Sequence, residues 1–194
     1  LAEHFPDAHA EQAPPVHGAL ENLNQPITTR YRYANRTQIS LSTERTVMAA
    51  IIPKGSAHID ALFSATFASL TDMVAFTGTT SSVVSDFIIR ISGKSHCRND
   101  VLARLPFIDE QNHRRPLLSR TLRLNCLTSA YSDLWTSVAD ASMLSDMFTA
   151  PGILNDVASP LAGSDGIPDG PMELAFANVN PNEWTWNTPL RSDR

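Results

Sequence analysis

The spacing of apolar and polar positions changes several times along this chain, and each change marks a predicted element. Over 26–33 the two kinds alternate. Ile27, Tyr31 and Tyr33 fall on one face and Thr28, Arg30 and Arg32 on the other, which predicts a half-buried strand with a basic outer face. Thr37, Ile39 and Leu41 continue the alternation. From Thr46 to Ile52 almost every position is apolar, the pattern of a strand covered on both faces, and Pro53, Lys54 and Gly55 end it. His58 to Phe67 fits two periods: Ile59, Leu62, Phe63 and Thr66 sit at helical spacing, while β-branched and aromatic content admits a strand.

Helical spacing is clearer further on. Ser81 and Ser82 are good caps, and Val83, Val84, Phe87, Ile88 and Ile91 recur with a helical period up to Gly93. Arg98 to Pro106 reads as loop and a short apolar piece. Leu124, Leu127, Tyr131, Leu134, Trp135 and Val138 form the apolar stripe of a second helical region, with Pro116 near its start. Tyr31, Tyr33, Phe87 and Trp135 are the expected core aromatics. Strands and helices in this mixture predict an α+β domain, a mixed sheet with packed helices.

Composition divides the 194 residues into three. Residues 1–25 are rich in Ala, Pro, His and acids and read as a leader or linker. Residues 26–150 carry the periodic segments. From 151 to 194, Pro, Gly, Asp and Asn accumulate, which predicts a connector and a tail docked through Trp184 and Trp186. Both ends look cut, as in a fragment of a longer protein. No apolar run is long enough to span a bilayer, and the first residues lack the pattern of a signal peptide. Cys97 and Cys126, without CxxC spacing, read as buried thiols of a reduced cytoplasm.

The net charge is −5, but it is unevenly spread. Residues 1–25 hold −4, residues 139–194 hold −6, and residues 26–138 hold +5. A positive middle between acidic flanks suits an element that reads nucleic acid rather than one that coats it.

Catalytic patterns are missing. No glycine cluster forms a phosphate loop, and no GxSxG elbow presents a serine. His96 and Cys97 are adjacent, a poor arrangement for one metal ion, and His4, His9 and His17 lie in the leader. Among Asp60, Asp72 and Asp86, the pairing of Asp86 with Lys94 is the least weak nuclease candidate. The expectation is therefore no catalytic residue, no metal and no cofactor in this chain. Contact chemistry remains. Arg36, Arg45, Lys54, Arg90, Lys94 and Arg98 stand at turns or element ends of the positive segment, and Gln38 can read an adenine edge, as can Asn35 and Asn99. Solvated charge and turn chemistry compete with that role at each position; for Arg45 the rival is anchoring the strand after Glu44.

Five segments in order carry a resemblance. Residues 42–55 (STERTVMAAIIPKG) have an ERT run leading through apolar residues to Ile-Pro-x-Gly. Residues 85–94 (SDFIIRISGK), 102–107 (LARLPF), 122–135 (LRLNCLTSAYSDLW) and 186–191 (WNTPLR) follow. Together they resemble the C-terminal, TaqI-like target-recognition region of large bacterial restriction–modification and phage-defence adenine DNA methyltransferases. The resemblance implies a target-recognition domain that positions double-stranded DNA for a separate methyltransferase domain of the parent chain, in a bacterial cytoplasm. S-adenosylmethionine is expected in the parent, not here: Asn180, Pro181 and Asn182 are not the family's Asn-Pro-Pro-aromatic motif. The alternative is a protein-interaction or scaffolding domain of a defence complex.

Overall fold

The computed structural model describes residues 25–40, 42–146, 179–186 and 188–189. The expected leader, Leu41, most of the connector and the end of the tail lie outside them. Within them the chain is α+β. A three-stranded antiparallel sheet of order β2-β1-β3 comprises β1 (Arg32–Arg36), β2 (Ala49–Ile52) and β3 (Leu62–Ala65). Packed with it are α1 (Leu70–Thr80), α2 (Val83–Ile91), the single turn α3 (Asn99–Leu102), α4 (Gln111–Asn125) and α5 (Ser132–Val138).

The sheet begins later than the alternation predicts. Pro26 heads a 3-10 turn, Ile27–Thr29, whose Ile27 is exposed, and the strand starts only at Arg32. β1 is central. Tyr33 pairs with Ile51 and Ala65, and Ala34 with Ala50 and Ser64. Alternation puts Tyr33 and Asn35 on one face with Ile51, Ala49, Phe63 and Ala65, and this face meets α1. Tyr33 stacks edge-on to Phe76 at 5.0 Å. Arg32, Ala34 and Arg36 share the second face with Ile52, Ala50, Leu62 and Ser64.

β2 is not the doubly covered strand that its apolar run predicts. It is an edge, four residues long, and Met48 and Ala50 are exposed. Its outward polar groups are capped by side chains: Asn125 Oδ1 accepts the Ile51 N–H (3.1 Å), and the Tyr131 hydroxyl donates to the Ile51 carbonyl (2.8 Å). A groove of about 480 Å³ lies beside this edge, lined by Ala49, Gly78, Leu117, Thr121, Leu124 and Tyr131 among others.

α1 is the central helix, and its periodicity gives no warning of it. It is buried on several sides, so no polar face alternates with an apolar one. Its threonines, poor helix formers, turn their hydroxyls back on the helix: Thr77, Thr79 and Thr80 donate to the carbonyls four residues earlier at 2.8–2.9 Å. Ser69 caps it by accepting from the Asp72 N–H. Asp72 in its first turn pairs with buried Arg114 of α4, which also bonds Asp109 at 3.0 Å.

The second predicted stripe is split. α4 contains Pro116 and ends at Asn125. A 3-10 turn, Ser129–Tyr131, intervenes before α5, which buries Leu134, Trp135 and Val138, while Leu124 and Leu127 are exposed. In the described part of the tail the Trp184 indole N–H donates to the Cys126 carbonyl (2.8 Å); buried Trp135 likewise donates to Asn180. Trp186 is exposed, resting edge-on against Trp184 at 5.4 Å.

Candidate nucleic-acid interface

The seven predicted contact residues occupy three places. The first forms where β1 ends. Past Arg36 the chain stays extended, and the 95–98 segment pairs with it: Gln38 bridges to His96, Ile39 N–H donates to the Ser95 carbonyl (2.9 Å), and Cys97 N–H donates to the Thr37 carbonyl (2.7 Å). On the other flank, Thr37 N–H donates to the Ala61 carbonyl (2.9 Å). Arg36 and Gln38 are exposed here, Lys94 enters the 95–98 segment, and Arg98 leaves it. Lys94 lies 3.5 Å from Asp100, and Arg98 3.4 Å from Asp60. These are exposed pairs, worth about 0–1 kcal/mol, so a phosphate oxygen can replace either carboxylate at little cost.

The second place is structural. Asp86, buried in the first turn of α2, accepts the N–H of Thr46 (2.6 Å) and of Val47 (3.1 Å). Arg90 lies 3.6 Å from it and donates to the carbonyls of Thr43 and Glu44 (both 3.2 Å), while the Arg45 guanidinium donates to the Ser81 carbonyl. Burial works against the charged carboxylate, yet the Val47 and Thr46 N–H groups with Arg45 and Arg90 outweigh it, holding Asp86 below the ordinary carboxylate range. Arg45 thus takes its anchoring role, and Arg90 staples the 43–46 turn to α2.

Lys54 stands apart. It pairs with Asp133 of α5 at 2.7 Å and lies 5.0 Å from the Tyr31 ring centroid. Its bond to Asp133 raises its pKa against the opposing effect of burial.

The candidate nuclease pair does not exist as one: Asp86 clamps backbone and Lys94 faces Asp100. Asp60, Asp72 and Asp86 each face a different arginine. Among the described residues no three His, Cys, Asp or Glu side chains gather to hold a metal. Cys97 and Cys126 are free and buried; desolvation pushes their thiols up to about 11 and about 12. Asn35 is no base reader. It is buried, and its amide donates to the Cys97 carbonyl at 3.0 Å. Asn99 opens the α3 turn.

Sequence reasoning also missed Arg32 as a site residue. The alternation predicts a basic outer face for it, but Arg32 is 2% exposed and β1 is buried on both faces up to Arg36. The Ser56 carbonyl accepts from Arg32 Nη2, and His58 Nε2 bonds Ser64 Oγ at 2.7 Å. A covering loop leaves no periodic mark.

α2 reverses its expected orientation. Val83, Val84, Phe87 and Ile91 are 72%, 62%, 60% and 66% exposed, and the buried positions are Ser85, Asp86 and Ile89. Phe87 is therefore not core. Tyr31, Tyr33 and Trp135 are. No protein-family model, no curated protein and no solved structure matches this chain.

Proposed function

We propose that this chain is a DNA target-recognition fragment of a restriction–modification-type adenine methyltransferase. It positions duplex DNA in a bacterial cytoplasm while a separate domain of the parent, carrying S-adenosylmethionine, transfers the methyl group. The observation that carries the reading is the convergence of Arg36, Gln38, Lys94 and Arg98 where the extended end of β1 meets the 95–98 segment. Forked and point-charge donors there suit phosphate, and an exposed amide beside them suits a base edge. The ordered motifs quoted above support the same reading. No described helix is long and apolar enough to cross a membrane.

The test is duplex binding by fluorescence anisotropy over a salt series. Arg36→Ala with Lys94→Ala should weaken binding roughly tenfold and flatten the slope of log K against log salt by roughly 0.9 per lost phosphate contact. Unchanged affinity and slope refute the assignment.

A protein-interaction domain is the second reading, favoured by the exposed apolar face of α2. It gains if duplex DNA gives no salt-dependent shift while Phe87→Ser abolishes association with another subunit of the defence complex.

A further inference from the structure

We propose that Arg32 binds a phosphate oxyanion on the second face of the sheet, beneath the 53–61 segment. Arg32 is only 2% exposed. Among the described residues no carboxylate lies within ion-pair distance of it. A guanidinium does not deprotonate in proteins, so this is a buried positive charge with no counter-ion among the described residues, a situation that costs several kcal/mol.

The donor geometry says what is missing. Nη2 gives one hydrogen bond, to the Ser56 carbonyl, and the buried Nε has no partner. Nε and Nη2 form the edge of the guanidinium that grips two oxygens of one oxyanion side by side. A single carbonyl uses half of it. Ile52 lies directly across from Arg32 on β2. Ala34, Ala50 and Ser64 are small, His58 reaches Ser64 Oγ at 2.7 Å, and Arg36 lies four residues along the same face. Two arginines thus share this face, and the one carboxylate of the 53–61 segment, Asp60, pairs with Arg98. A phosphate entering here exchanges for the Ser56 carbonyl as the 53–61 segment lifts.

The source of the phosphate rests on the DNA reading, since the backbone of a duplex is one supply and a free phosphate or nucleotide another. Two measurements on Arg32→Met and Arg32→Lys separate them. Methionine removes an uncompensated buried charge and keeps the volume, so the variant should fold at least as stably as the parent. Lysine keeps the charge and loses the fork. The first measurement is the thermal midpoint in rising inorganic phosphate at constant ionic strength, with chloride as control. The second is duplex anisotropy over a salt series. The parent's midpoint should rise with phosphate, Arg32→Met should show no rise, and Arg32→Lys should fall between. Duplex affinity in Arg32→Met should drop about tenfold, with the salt slope reduced by roughly 0.9.

A phosphate response lost in Arg32→Met, together with no duplex binding by the parent, upholds the oxyanion site with a free phosphate as ligand and sinks the DNA reading. Loss of duplex affinity without a free-phosphate response upholds the site for backbone phosphate alone. If Arg32→Met neither changes the phosphate response nor weakens duplex binding, the inference is overturned, even if Arg36 and Lys94 prove essential. Should Arg32→Met fail to fold, Arg32→Lys decides by the same comparison.

Discussion

Two backbone N–H groups, of Thr46 and Val47, end on one carboxylate, that of Asp86, and this ties the entry of β2 to the start of α2. Charge-assisted bonds of this kind are worth about 1.5–3 kcal/mol each, and exchanging the carboxylate for a neutral amide keeps an acceptor oxygen but removes the charge assistance and the attraction to Arg90. Asp86→Asn should therefore lower stability by about 1–3 kcal/mol in urea titration, a value discounted for Arg90 and solvent near the carboxylate. The pH dependence follows in sign. The folded pKa of Asp86 is depressed, so its stabilisation is fully present above the unfolded value of about 3.9 and is lost as pH falls through the lower folded value. Acid titration of the wild type should show this loss below about pH 4, and Asp86→Asn should remove that part of the slope. Gly78 sets a second residue-scale constraint. An added Cβ would lie 2.1 Å from Thr121 Oγ1 and 2.7 Å from Leu117 Cδ1, so α1 and α4 pack through it. Gly78→Ala should destabilise by about 1–3 kcal/mol despite the better helix propensity of alanine, and a stabilised variant would disprove the close approach.

Among elements, α2 separates pattern from outcome most sharply. Its caps and length were legible: Ser82 accepts from the Ser85 N–H, and Gly93 follows at φ +66°. Its stripe was legible too, but the direction of the stripe was not. The polar side, Ser85 and Asp86, is turned inward because each finds a specific partner there, Ser85 on the Thr79 carbonyl (2.7 Å) and Asp86 on the 46–47 backbone. Urea unfolding distinguishes the two faces. Phe87→Ser should change stability by no more than about 0.5 kcal/mol, whereas Ile89→Ala should cost about 2–5 kcal/mol. A costly Phe87→Ser would mean the apolar face is covered within the chain. α1 escaped notice for the opposite reason: a helix wrapped by sheet, α2, α4 and α5 needs no polar side, and Thr-rich sequence resembles strand or turn.

At the scale of the molecule, the positive middle segment does not become one continuous platform. The seven predicted contact residues divide between an exposed group at the end of β1, the structural pair Arg45 and Arg90 beside Asp86, and Lys54, which pairs with Asp133 of α5. If the first group is the DNA surface, binding should weaken with salt by roughly 0.9 in log K per log salt for each phosphate contact and be weak at high ionic strength. The chain's own letters were enough for the α+β class, the α2 caps, the burial of Tyr31, Tyr33 and Trp135, and the inertness of two buried thiols, since each follows from local spacing and from the drive to bury apolar surface. They were not enough for the edge position of β2, the interruption between α4 and α5, the inward turn of Asp86 or the covering of Arg32. Those depend on which distant segment supplies a partner: Asn125 and Tyr131 to Ile51, Thr46 and Val47 to Asp86, Ser56 to Arg32. Hydrogen-bond partners separated by 24 to 80 residues leave no trace in a local pattern, and only chain folding in three dimensions chooses among them.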